Sequence, residues 1–234
     1  NRMNDRTNCY EFIGIWGSGK TTLINDVSKK LISDGFVVKN FLDFDKEPTL
    51  KRYFIVSLFI LKNPLYSTKL LYFLIKILYK LIPLDNLQID IFKTLFKRIF
   101  IKNNIINKKT DIFLSEGIFH LLTMFDKMNK LSLKEILFCV DGKFLSNLNH
   151  IVNIRIDKDL ALRNIIKDHK KGYFRFRKND FDNTENLFNR MLTNENLIIK
   201  IIHSSKINIF DINGNDSFSN KAKYLFNFIK NNND

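Results

Sequence analysis

The run Phe12-Ile13-Gly14-Ile15-Trp16-Gly17-Ser18-Gly19-Lys20-Thr21-Thr22 fits the pattern G-x-x-x-x-G-K-[ST], with Gly14 and Gly19 as its fixed glycines. Upstream, the mostly apolar stretch Cys9 to Ile15 reads as a buried strand. Downstream, Leu23, Ile24, Val27 and Leu31 recur at helical spacing and stop at Ser33-Asp34-Gly35. A strand, a glycine-rich loop and a helix in that order make a cradle for phosphate groups. Glycines let successive N–H groups turn inward, and the helix start adds its unpaired donors and positive dipole end. The pattern predicts a nucleoside triphosphate held by Gly14, Gly17, Ser18, Gly19, Lys20, Thr21 and Thr22, with Lys20 on the β- and γ-phosphates and the Thr21 hydroxyl on Mg²⁺. The competing reading is a glycine-rich turn whose lysine is merely solvated; the complete motif in its proper context argues against it. A guanine-selective site would call for an Asn-Lys-x-Asp loop, which the sequence lacks, so ATP is the expected nucleotide.

The chain has 234 residues, the size of one domain with a substantial core, and we read 1–234 as a single unit. Lysine and arginine exceed the acids by 38 to 24, a net charge of +14 that calls for an anionic partner without choosing among nucleotide, nucleic acid and membrane surface. Cys9 and Cys139 lie in or beside apolar runs without metal-ligand spacing, which predicts reduced thiols in a cytoplasmic protein. The first ten residues have no apolar signal core, and the apolar run Phe54 to Leu61 is too short to span a bilayer. There is no internal repeat. The end, Asn231 to Asp234, is expected to fray.

Beyond the first helix, Phe36 to Leu42 reads as a second strand that delivers Asp43, Asp45 and Glu47 to its C-terminal end, where open parallel sheets bind ligands. Any of these acids could instead cap the next helix. Residues 50–109 form a helical insertion broken at Asn63-Pro64 and Pro83-Leu84-Asp85. Its middle helix, Thr68 to Ile82, carries Lys69, Lys76 and Lys80 as one stripe on an otherwise apolar cylinder, and the next, Ile89 to Ile101, puts Asp90, Lys93, Lys97 and Arg98 toward a polar side. Helices packed on the core with lysines reaching outward account for this pattern, and an apolar acceptor pocket or a face on an anionic membrane is the sharper alternative. Thr110 to Gly117 reads as a strand ending in Glu116, a candidate for the Mg²⁺ shell or the acceptor, followed by a helix from Ile118 to Met128.

His150 to Ile156 is a further strand, and the helix after it carries Arg163. The basic segment Lys167 to Lys178, with Arg175 and Arg177 among aromatics, fits an arginine-bearing lid over transferring phosphates; a single-strand nucleic-acid clamp would use the same composition. Ile207 to Ile212 is the last strand, Asn213 to Ser217 a turn, and Phe218 to Ile229 the closing helix. His120, His150, His169 and His203 have no paired spacing and read as structural.

This order of segments resembles the thymidylate kinase-like and deoxynucleoside kinase-like branch of P-loop kinases across nearly the whole chain. Lys46-Glu47-Pro48 is similar to that family's Arg-Glu-Pro, Ile154 to Asp157 with Arg163 to its approach to the lid, and Ile209 to Gly214 to its last strand and adenine loop. The resemblance implies a three-layer α/β fold, a central parallel sheet of about five strands with helices on both faces, the 50–109 insertion on the acceptor side and a lid over 163–180. It also implies Mg-ATP-dependent phosphoryl transfer to a small acceptor. In that reading Lys20, Arg163, Arg175 and Arg177 stabilise the transferring group, Asp43 or Asp45 orients the acceptor hydroxyl, Thr21 and Glu116 serve the metal, and Asn213 and Gly214 abut adenine. Nucleic acid and membrane are not favoured as partners; a homodimer stays open. Two departures stand out: Trp16 replaces a phosphate-loop carboxylate, and Glu116-Gly117-Ile118 replaces Asp-Arg-Tyr, which removes the arginine that meets an acceptor phosphate. The triphosphate half of the family pattern is intact and the acceptor half is rebuilt.

Overall fold

The computed structural model describes residues 8–40, 54, 57–58, 60–62, 64–84, 86, 88–95, 111–115, 117–132, 135, 150–170, 181–203 and 207–233. In chain order these give β1 (Cys9–Ile13), α1 (Lys20–Ser33), β2 (Val38–Asn40), α2 (Pro64–Leu81), β3 (Asp111–Leu114), α3 (Ile118–Leu122), β4 (His150–Arg155), α4 (Lys158–Lys170), α5 (Phe181–His203), β5 (Asn208–Asn213) and α6 (Phe218–Asn233). The strands form one five-stranded sheet in the order β2-β3-β1-β4-β5. Every pairing is parallel, with Tyr10 beside Phe113 on one flank and His150 on the other. This is the expected α/β architecture.

A parallel sheet must be covered on both faces, and β1 shows how its residues divide. Tyr10 and Phe12 enter one apolar layer with Leu23, Ile24, Val27 and Leu31 of α1 and Ala222, Leu225 and Ile229 of α6. Cys9 and Ile13 enter the other, with Leu74, Ile77 and Leu81 of α2, Phe119 of α3, Ala161 and Ile165 of α4, and Phe188, Met191 and Ile198 of α5. The chain leaves β1 toward β2 and β3 on one side and crosses to β4 and β5 on the other. The loop after β1 therefore sits at the point where strand order reverses, the crevice in which open α/β sheets bind ligands.

Several boundaries differ from the sequence expectation. The helix predicted over 118–128 is only α3, five residues long, before turns and a 3-10 segment at Met128–Lys130. The buried Asn194 side chain explains the early stop: its amide donates to the carbonyls of Thr123 (2.9 Å) and Phe125 (2.8 Å), oxygens a continuing helix would need for itself. The insertion helix begins at Pro64, where a missing N–H costs nothing, rather than at Thr68. The terminal asparagines extend α6 to Asn233 instead of fraying; Asn232 donates to the Phe228 carbonyl at 2.7 Å. The 23-residue α5 drew no assignment from sequence. Of the expected lid, residues 163–170 continue α4 as regular helix, and 171–180 lie outside the described residues.

Lys76 and Lys80 of the α2 stripe stay half and one-third exposed, as lysines reaching outward from a core-packed helix do, and they share one acid. The Lys69 side chain lies outside the described residues. Lys80 donates to Glu135 at 2.7 Å, and Lys76 stands 3.7 Å from the same carboxylate, whose side chain is 5% exposed. Lys93 pairs with Asp90 at 3.0 Å on the exposed side predicted for it, while Lys97 and Arg98 lie outside the described residues. Among the described residues no helix is long and apolar enough to cross a membrane.

Candidate nucleotide site

The loop between β1 and α1 takes its shape from three glycines at positive φ: Gly14 (145°), Gly17 (77°) and Gly19 (82°). Gly17 is pressed against α4. A Cβ there would meet the Ala161 carbonyl oxygen at 2.3 Å, and the Asn164 amide donates to the Gly17 carbonyl at 2.8 Å. Gly19 is the N-cap of α1, with no side-chain cap and no acid in the first turn. A Cβ on Gly19 would meet nothing within 4 Å, so its neighbourhood is open and the first N–H groups of α1 face it. An uncapped helix start beside an inward-turned loop favours anions.

Lys20 lies over this cradle. It is buried, and its ammonium donates to the carbonyls of Gly14 (2.6 Å) and Ile15 (3.0 Å) and to the Ser18 hydroxyl (3.3 Å). The charge is thus stored within the loop on neutral acceptors, which a polyphosphate oxygen, a charged acceptor, can outcompete. Thr21 and Thr22 are exposed at the mouth. The Thr21 hydroxyl is suited to a hard cation. Among the described residues no group of three His, Cys, Asp or Glu side chains could hold a metal by itself.

The other predicted residues distribute unevenly. Arg163 is exposed on α4, and its neighbour Asn164 is the side chain that reaches the loop. Asn213 spends its side chain on its own turn, bonding the Asn215 N–H and Asp216. Gly214 packs on the end of β4, its N–H donating to the Arg155 carbonyl at 2.5 Å. A Cβ on Gly214 would lie 2.6 Å from that oxygen, so the β5–α6 turn and β4 close one side of the crevice together. Asp43, Asp45, Glu47, Glu116, Arg175 and Arg177 lie outside the described residues.

Glu11 is a residue the sequence reading passed over inside an apolar run. It is fully buried on the face of β1 that meets α3, and its carboxylate accepts from the Phe119 N–H (2.5 Å) and the His120 N–H (3.4 Å). Gly117, the N-cap of α3, has no side chain to do this, and Glu11 supplies the anion at that helix start instead. The two positions are coupled by space, since a Cβ on Gly117 would sit 2.2 Å from the Glu11 carboxyl carbon. The glycine where the resembling family has an arginine therefore accommodates a buried carboxylate. A charged residue in the middle of a buried strand was the available signal.

Neither comparison with protein families nor comparison with curated proteins gives a match. Solved structures do. The fold is shared with deoxyadenosine kinase from M. mycoides with the products dCMP and a flexible dCDP bound, at 16% identity and a TM-score of 0.55 over 95% of this chain and 99% of that one. The same enzyme with bound dATP gives 15% identity and a TM-score of 0.52 over the same shares. At such identity the likeness establishes the P-loop kinase α/β fold.

Proposed function

We propose that this protein is a phosphotransferase that moves the γ-phosphoryl group of Mg-ATP to the hydroxyl of a small, uncharged, nucleoside-like acceptor. The observation that carries the reading is Lys20 stored on the carbonyls of a three-glycine loop at the centre of a 2-3-1-4-5 parallel sheet. Bound Mg²⁺ would supply positive charge against that of the phosphate groups. Lys20 would leave the Gly14 and Ile15 carbonyls for the β- and γ-phosphates and stabilise charge that grows on the transferring group. Thr21 would hold the metal. Asp43 or Asp45 would orient the acceptor hydroxyl and take its proton; Glu116 would serve the metal or the acceptor; Arg163, Arg175 and Arg177 are the lid candidates; Asn213 and Gly214 would border the adenine.

Preference for an uncharged acceptor has two supports. Gly117 supplies no arginine for an acceptor phosphate, and the space beside it belongs to Glu11. Lys80 and Lys76, two α2 cations available to replace that arginine, both lie beside Glu135, at 2.7 and 3.7 Å. The solved structures that share the fold are of a deoxyadenosine kinase, which supports the same acceptor class.

The test is ADP release measured over a panel of deoxynucleosides, nucleoside monophosphates and sugars. Stoichiometric ADP with a nucleoside, and little with the monophosphates, is the expected result. Robust turnover of dTMP would refute the rebuilt acceptor site. Equal ADP release with no acceptor would replace the kinase by an NTPase.

A further inference from the structure

Past the phosphate loop the crevice continues into a cavity of about 160 Å³ between β4 and α5, walled by Ile15, Asn153, Arg155, Leu192, Glu195 and Asn196. Glu195 is the acid in that wall, and it is only 8% exposed. Charged groups from three other elements act on it: Lys20 from the loop, Arg155 from β4 and Asp211 from β5. Arg155 and Asp211 are themselves paired at 3.2 Å, and the Asn153 amide donates to Asp211 at 2.7 Å. Ile15 joins the two regions, because it lines the cavity and its carbonyl also holds the Lys20 ammonium. Burial pushes the Glu195 carboxyl up, Lys20 and Arg155 pull it back, and Asp211 pushes it up again, leaving it at about 7.

We propose that Glu195 is a positioning residue for Lys20. Its carboxylate, across the cavity, helps keep the ammonium seated in the loop, and it releases that hold by taking a proton from solvent as polyphosphate charge arrives. This rests on the triphosphate reading of the loop. The physics is that of three coupled charges. Polyphosphate oxygens draw the ammonium to themselves and add negative charge on the loop side of the cavity. Both changes disfavour the ionised carboxylate. By linkage, triphosphate binding takes up a proton, and affinity falls as pH rises through the titration of Glu195.

Isothermal calorimetry of Mg-ATP binding at pH 6, 7 and 8, in buffers of different ionisation heat, counts the protons taken up. Wild type is expected to bind a fraction of a proton at pH 7 beyond that of ATP itself, and its affinity should fall by up to about tenfold per pH unit there. Glu195→Gln, which keeps the shape, should lose that extra proton; Glu195→Asp should keep it. Arg155→Met removes an exposed cation that lowers the carboxyl, so it should move the midpoint to higher pH. It carries the test if Glu195→Gln melts. Equal proton uptake in wild type and Glu195→Gln, or an unmoved midpoint in Arg155→Met, overturns the proposal. Wild type binding ATP with no extra proton sinks this inference alone, whereas wild type failing to bind ATP sinks the triphosphate reading with it.

Discussion

Replacing Gly17 by Ala tests the seat of the phosphate loop without reference to catalysis. Two costs add. The φ of 77° is a left-handed conformation, which costs a residue with a Cβ ~1–2 kcal/mol. The new methyl would also lie 2.3 Å from the Ala161 carbonyl oxygen, 3.0 Å from its carbon and 3.1 Å from Ile165 Cγ1. Carbon and oxygen normally keep about 3.3 Å apart or more, so α4 must withdraw from the loop by roughly 1 Å. That withdrawal strains the Asn164–Gly17 hydrogen bond, worth about 1 kcal/mol. The sum is about 2–3 kcal/mol, or a melting temperature lower by roughly 4–12 °C for a chain of this size. Gly19→Ala is the internal control. Its φ of 82° brings the same conformational cost, but no atom lies within 4 Å of the added methyl. Urea unfolding of both variants beside wild type reads the difference directly, with Gly17→Ala about 1 kcal/mol the less stable of the two. Equal stability of the two variants would refute the claim that α4 clamps the loop through Gly17.

Two further predictions concern acid stability. Burial alone would raise the Glu135 carboxyl, but the Lys80 hydrogen bond, the Ser132 N–H and the Ser132 hydroxyl bring it down to about 2. A carboxylate lowered in the folded state stabilises above its unfolded pKa, and that contribution drains away as pH falls from about 4.5 to 2. With Lys80 one-third exposed, we discount the full linkage to about 1–2 kcal/mol; Glu135→Gln should flatten the pH dependence of melting in that window, and an unchanged slope would exclude the ion pair as its source. His150, stacked on Tyr10 at 4.9 Å and buried, has its pKa pushed down to about 4 by desolvation. The unfolded chain then binds the proton first, so stability should drop by about 3 kcal/mol between pH 6.5 and 4 and level off below. His150→Phe should remove that segment of the curve, and a wild type whose imidazole titrates near 6.5 by NMR would contradict the buried, neutral assignment.

Much of the fold could be read from the residues because the strands in question are locally decisive. Cys9 to Ile13, Asp111 to Leu114 and His150 to Arg155 are short apolar runs bounded by turn signals, as doubly covered parallel strands must be. The loop was legible because glycine spacing and lysine together report backbone geometry. Misread boundaries trace to tertiary causes: Asn194, distant in sequence, captures the carbonyls that end α3. Nor could the sequence show that two of the α2 lysines, Lys76 and Lys80, meet a single buried acid, Glu135, from a distant segment. Glu11 and Glu195 escaped for a related reason. Each is an acid whose surroundings come from other elements: the N-terminus of α3 for one, the cavity between β4 and α5 for the other. Periodicity carries no information about such partners.

The central claim is transfer of phosphoryl to an acceptor, and the fate of the γ-phosphoryl group tests it most directly. Wild type would be incubated with ATP carrying ¹⁸O in the γ-phosphoryl group, Mg²⁺ and the best acceptor from the panel, and the products weighed by mass spectrometry. The account predicts an acceptor heavier by one labelled phosphoryl group, at a rate that falls by about 10²–10³ or more in Lys20→Ala, while the melting curve of that variant still shows a folded protein. Label appearing only in free phosphate, or equal transfer by Lys20→Ala, would contradict it.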